Sequence, residues 1–281
     1  MAKKKTSVIY YKTDEEIELL RAANQLNSRA LALVAEMIAP GVKGSEIDAR
    51  VEEFLRDHGA KPGFKGLYDC PSTLLISIND AVVHGLPSDK PFRDGDVVSV
   101  DCGTVLNGYN GDTAYTFCLG NVSEAAMKLC QVTKSALYLG IEQARAGNRI
   151  GDIGYAIQHY CERVHKYGSV RELVGHGVGR TLHEDPQVPN HGKRGNGIRI
   201  QEGLTIAIEP MITMGRRKIM TAPDDWTILT KDHKPAAHYE HSIAVRADGP
   251  DILSTHEFLE EAIGRNPHVR EVVSYEELAA A

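Results

Sequence analysis

Cysteine is sparse in this 281-residue chain, long apolar runs are missing, and positive charge is not in excess. The five cysteines, Cys70, Cys102, Cys118, Cys130 and Cys161, are odd in number, and no two lie closer than twelve residues. Neither a disulfide framework nor a CxxC zinc pattern fits that spacing. No stretch approaches the roughly 20 apolar residues that span a bilayer. Met1-Ala2-Lys3-Lys4-Lys5 carries charge like the start of a signal peptide, yet the polar run Lys12-Thr13-Asp14-Glu15-Glu16 arrives before any long apolar segment. With 32 basic against 38 acidic side chains the formal net charge is -6, which argues against nucleic acid as the main ligand. A soluble enzyme of the reducing cytoplasm, without a membrane partner, is the expectation.

What is present reads as an ordinary globular chain, 42% hydrophobic and 25% charged, long enough to bury a sizeable core in one compact domain. Apolar positions Ile17, Leu20, Ala23, Leu31, Val34 and Ile38 recur at helical spacing. The capping box from Thr13 to Glu16 opens that helix, and Pro40-Gly41 closes it. A second helix is predicted from Ser45 to about Gly59, a third from the cap Ser123 to about Ala146, and a fourth from Gly151 to Tyr167. The linkers inside the two helix pairs also match. Gly41-Val42-Lys43-Gly44-Ser45-Glu46-Ile47 resembles Gly147-Asn148-Arg149-Ile150-Gly151-Asp152-Ile153 at an offset of 106 residues. The same offset carries Asp101 to within two residues of Glu209, so each half follows its helices with an acid-bearing strand. The fold class is therefore α+β, with two pseudo-symmetric halves and the acids at the centre.

Four carboxylates and one imidazole carry the chemistry: Asp101, Asp112, His176, Glu209 and Glu240. Asp101 sits in the apolar run from Val97 to Cys102, and Glu209 ends the run from Leu204 to Ile208 ahead of Pro210. Charged, unpaired acids in a protein interior cost several kcal/mol each, so they pair or bind metal. Two divalent cations would cancel four negative charges. Asn107-Gly108 is a hairpin signal that sets Asp101 opposite Ala114 and leaves Asp112 on the same face, about 7–8 Å away diagonally. Glu240 opens the strand-like run to Val245, and His176 lies between glycines in Gly175-His176-Gly177-Val178-Gly179. His84, ending an apolar segment at Gly85, and His183, in a loop, can both face a cleft. Turn-capping aspartates, edge-strand glutamates and structural histidines are the plainer alternatives for each residue taken singly.

Taken together, these residues resemble the pita-bread metallopeptidases, most closely the type I methionine aminopeptidases. The order Asp101, Asp112, His176, Glu209, Glu240 corresponds, as do Val100-Asp101-Cys102-Gly103, Asn110-Gly111-Asp112-Thr113-Ala114, Gly175-His176-Gly177-Val178-Gly179 and Glu209-Pro210-Met211. The resemblance spans about residues 10–253 and implies helices outside a curved antiparallel sheet. It also implies two divalent ions, cobalt, manganese, iron or zinc, bridged by Asp112 and Glu240. Asp101 would complete one site, and His176 with Glu209 the other. A metal-activated water would be the nucleophile, Glu209 the proton acceptor, and His84 and His183 the donors to the peptide. Phe64, Leu67, Cys70, Leu75, Leu182 and Trp226 would line the methionine pocket. The implied substrate is the N-terminal methionine of a nascent chain, preferably followed by a small residue, with transient ribosome contact and a monomeric state as further expectations.

The 30 residues between Glu209 and Glu240 leave no room for the inserted helical subdomain of type II relatives. The missing zinc-finger extension points to a bacterial-like minimal form. Prolidase-like enzymes usually carry a large preceding domain, a non-catalytic relative would have lost ligands, and a mononuclear iron oxygenase suits four acids poorly. The expected division is an extension over 1–12, a catalytic domain over 13–253, and a tail over 254–281 without assigned chemistry and with a fraying end.

Overall fold

The computed structural model describes residues 8–273. Its centre is the long hairpin of strands Val97–Leu106 and Tyr109–Leu119, joined by Asn107 and Gly108 at φ 52° and 80°. Two successive positive φ values make the tight turn whose twist matches the flanking strands, so the local signal fixes the register. Asp101 faces Ala114, as predicted. The main sheet is antiparallel throughout and runs Lys61–Pro62, Val97–Leu106, Tyr109–Leu119, Glu240–Val245, Thr205–Ile208, Gly175–Gly177, Glu184–Val188.

Helices α1 (Asp14–Met37) and α2 (Gly44–Asp57) belong to one half, α3 (Glu124–Glu142) and α4 (Ile150–Gln158) to the other. Thr13 Oγ1 accepts from the Glu16 amide at 3.3 Å while Glu16 Oε2 accepts from the Thr13 amide at 3.2 Å, the reciprocal cap legible in the sequence. Ser123 Oγ caps α3 at the Ala126 amide. The helices end earlier than the periodicity suggested, and α4 passes into a π-helical turn over His159–Val164.

The linker repeat has a physical basis. Gly41 and Gly147 take φ values of 94° and 99°, which only glycine adopts without strain. Gly41 donates to Phe92 O and Phe92 donates back to Val42 O; Gly147 donates to Ile200 O and Ile200 donates back to Asn148 O. Phe92 and Ile200 each stand nine residues before an acid, Asp101 and Glu209 (101 − 92 = 209 − 200 = 9). The offset thus grows from 106 in the linkers to 108 at the strands, which accounts for the two-residue shortfall.

Helix α1 grips the central hairpin with buried amides. Asn24 Oδ1 accepts the Asp112 amide at 3.1 Å and its Nδ2 donates to Leu20 O at 2.9 Å. Asn27 donates to Cys102 O and accepts from Thr104 Oγ1. The region taken as a tail folds back on the domain instead. Helix α5 (Glu257–Arg265) buries Leu259, Ala262 and Ile263 against α1, and Val269–Arg270 pairs with the Tyr109–Leu119 strand. Those three apolar residues carry helical spacing, the signal in the sequence for this helix. Residues 276–281, expected to fray, and Lys3-Lys4-Lys5 lie outside the described residues. At the other end, Ile9 bridges to Asp185 and Lys12 is buried, so part of the expected extension also packs on the domain. No described helix is long and apolar enough to cross a membrane.

Gly111 is where α1 comes nearest the hairpin: a Cβ there would stand 2.7 Å from the carbonyl carbon and oxygen of Ala23. Backbone cannot yield cheaply, so Gly111→Ala should destabilise the protein by about 1–3 kcal/mol in urea unfolding. Unchanged stability would show that α1 can shift away.

Candidate metal centre

Strand register brings the acids together. Ala114 pairs with Asp101 on one side and Glu240 on the other, so the three residues form a row across three strands on one face. The small Ala114 side chain leaves space between the two acids. Asp112, two residues from Ala114, shares that face. The Thr205–Ile208 strand stops just before Glu209, and Pro210 cannot continue the ladder, so the carboxylate is presented at the strand end beside Glu240. His176 reaches in from the glycine-flanked Gly175–Gly177 strand.

The ligand atoms are mutually close. His176 Nε2 lies 3.5 Å from Asp112 Oδ2 and 3.6 Å from Glu209 Oε1. One atom each of Asp112, His176 and Glu240 falls within a 4.8 Å span, the spacing of ligands around one ion. His176 Nδ1 donates to Gly177 O at 2.9 Å, which fixes the tautomer and leaves Nε2 with a lone pair toward the acids.

Electrostatics point the same way. Burial pushes the Asp101 carboxyl up to about 7 and that of Glu209 up to about 8. Burial first, and then the neighbouring acids, drive Asp112 and Glu240 well above the usual carboxylate range. Burial lowers His176 to about 4, so its ring is neutral and free to ligate at physiological pH. Asp101 Oδ1, Asp112 Oδ1 and Glu240 Oε1 are buried with no hydrogen-bond partner among the described residues. Native interiors rarely leave such oxygens orphaned, and bound divalent cations would satisfy them. The residues present fit a metal.

A cavity of about 170 Å³ opens above the acids, lined by Phe64, Leu67, Cys70, Leu75 and Trp226. Leu182 belongs to the same apolar cluster but does not line the cavity, whereas Tyr68 does line it and was not anticipated. His84 and His183 stand at the rim. Burial lowers both imidazoles, His84 to about 4, so each is neutral near pH 7. The His183 ring lies edge-on to His176 at 4.5 Å between centroids and faces Tyr68 at 5.9 Å. His238 went unassigned in the sequence, yet its buried Nε2 has no hydrogen-bond partner and lies 3.7 Å from Glu209 Oε2. The signal available was its place two residues before Glu240.

The comparisons with known proteins agree with this geometry. The profile of Metallopeptidase family M24 matches residues 18–247. A methionine aminopeptidase of Clostridium perfringens is 45% identical over 247 residues, which cover 88% of this chain and 99% of that one. Methionine aminopeptidase 1 of Bacillus subtilis is 41% identical over 247 residues, with coverages of 88% and 99%. The crystal structure of methionine aminopeptidase from Rickettsia prowazekii superposes with a TM-score of 0.87 at 36% identity, covering 88% of this chain and 100% of that one. A curved antiparallel sheet with its helices outside, four converging acids, one neutral imidazole and full-length relatives lead to one assignment: this chain belongs to metallopeptidase family M24, among the type I methionine aminopeptidases of the pita-bread fold.

Proposed function

We propose that this chain removes the N-terminal methionine from nascent proteins, preferring a small second residue, with two divalent metal ions held by Asp101, Asp112, His176, Glu209 and Glu240. The observation that carries the reading is the set of orphaned, buried carboxylate oxygens at the floor of a small apolar cavity. Four acids balance two divalent charges, with Asp112 and Glu240 central enough to bridge. Oxygen-rich sites of this kind accept manganese, iron, cobalt or zinc. Bound ions would supply Lewis acidity and a water acidic enough to ionise near neutral pH.

The chain's own groups do the rest. Glu209, at the strand end, takes the proton released on attack and returns it to the leaving amine. His84 and His183, neutral near pH 7, donate N–H groups to the peptide and to the oxyanion that develops on its carbonyl. The cavity is smaller than the about 300–1,000 Å³ of drug-sized ligand sites and suits one side chain, and its aromatic and sulfur-bearing walls match a thioether. A second hollow, of about 450 Å³, continues from the acids past His84, Gly175 and His238 and gives the rest of the peptide a path. We place the enzyme in the cytoplasm as a monomer that meets its substrates during synthesis, a reducing setting that suits five free, buried cysteines.

Metal-stripped protein resupplied with manganese should release methionine from Met-Ala-Ser and Met-Pro-Ser and leave Ala-Pro-Ser intact by mass spectrometry. Preference for Ala-Pro-Ser would move the activity to a proline-specific enzyme. His183→Ala should keep its metals and lose about 10²–10³ in kcat, as removal of an oxyanion donor does. A normal kcat would take His183 out of the mechanism.

The raised acids also set a pH dependence. Against roughly 4 in the unfolded chain, Asp101 near 7 and Glu209 near 8 mean that the folded, metal-free protein holds the extra protons between those values. The contribution of these two acids to stability is therefore lost as pH rises from about 4 through about 8. Cations favour the ionised acids, so the gain in Tm on adding manganese should grow across the same window. A gain that is flat or shrinks would contradict the assignment of these acids as ligands.

A further inference from the structure

Gly179, the last glycine of the His176 motif, has no part in the metal centre, and what it makes room for lies beside His183. A Cβ on Gly179 would collide with Glu184 Oε1 and stand 2.7 Å from Lys12 Cε. Those two side chains form an ion pair, Lys12 Nζ to Glu184 Oε2 at 2.6 Å, with side-chain exposures of only 5% and 7%. Lys12 Nζ also donates to Tyr10 O at 3.0 Å, and Glu184 Oε1 accepts from the Thr181 amide at 3.3 Å. Thr181 Oγ1 in turn donates to the carbonyl of His183 at 3.3 Å. The Glu184 carboxylate therefore closes the turn 181–184 from inside, and Lys12 holds that carboxylate in place.

Lys12 is itself anchored. Its amide donates to Gly203 O at 2.7 Å, Ile9 bridges to Asp185, and Thr13 next to it caps α1. Gly179 O accepts from both the backbone amide and the side-chain Nδ2 of Asn110, at 2.9 and 3.0 Å, two residues before Asp112. The His183 turn is thus tied to the strand that carries a metal ligand and to the segment that leads into α1. His183 gains from this, since it is exposed and its ring meets Tyr68 and His176.

We infer that Lys12, through its buried ion pair with Glu184, is a positioning residue that holds the His183 turn in register with the metal centre. The inference rests on the role proposed for His183. A buried pair of this kind, its ammonium also on Tyr10 O and its carboxylate on the Thr181 amide, favours one arrangement over others, and loss of one partner leaves a charge that must move toward water. Movement of about 1 Å at the turn is enough to cost about 10²-fold in rate.

The test is a double-mutant cycle in manganese-loaded enzyme on Met-Ala-Ser, with metal content and circular dichroism measured for every variant. Lys12→Met should lower kcat by about 10–100-fold with KM and metal content held, and Lys12→Arg should recover most of the loss. In a His183→Ala background, Lys12→Met should change kcat no further, because the group it positions is gone. Equal losses with and without His183, or a normal kcat in Lys12→Met, would overturn the inference. Should Lys12→Met fail to fold, Lys12→Met/Glu184→Leu, which leaves no lone charge, enters the same cycle with the same outcomes. A normal kcat in His183→Ala itself would instead remove the role on which the inference rests.

Discussion

Four carboxylates face one another in a space that water barely reaches, and this repulsion is the constraint that the rest of the structure serves. Burial pushes all four toward the protonated form, with Glu209 up at about 8, and neighbouring acids add to it at Asp101, Asp112 and Glu240. Three of their oxygens find no donor among the described residues. Hydrophobic replacements would be more stable as packing, so the acids make sense as a cation site whose energy is recovered on metal binding. The neutral, tautomer-fixed His176 fits the same purpose.

Holding such groups close requires a frame that cannot relax. The acids sit on strands rather than loops, and register places Asp101, Ala114 and Glu240 in one row. Behind them α1 clamps the hairpin with Asn24 and Asn27, and Gly111 lets the helix backbone approach. In front, His84 and His183, the proposed donors to the peptide, are carried by less regular segments. His84 has φ 60° just after a short strand, and His183 sits in a turn closed by Glu184 and Lys12. Rigid strands thus hold charge, and less regular segments hold the proposed donors.

Much of this was legible in the sequence because it is encoded locally. Asn107-Gly108 set the hairpin, Thr13 and Glu16 the start of α1, Pro210 the end of the Glu209 strand, and the glycine linkers the two halves. The pocket residues came from resemblance, and the structure gathers Phe64, Leu67, Cys70, Leu75 and Trp226 around one cavity while leaving Leu182 in the wall behind. What stayed hidden depends on contacts between distant segments. Lys12 and Glu184 are 172 residues apart, and neither stands in a pattern that marks a partner. His238 looks like any strand histidine until Glu209 is placed beside it. Helix α5 had its apolar face in plain view, but only α1 explains what covers it.

The number of ions held by Asp101, Asp112, His176, Glu209 and Glu240 tests the proposed dinuclear centre most directly. Calorimetric titration of metal-stripped protein with manganese, checked by elemental analysis, should give two equivalents per chain, and Asp112→Ala should lose both binding events while remaining folded. One equivalent or none in the unaltered protein, or two retained in Asp112→Ala, would contradict a dinuclear centre bridged by Asp112.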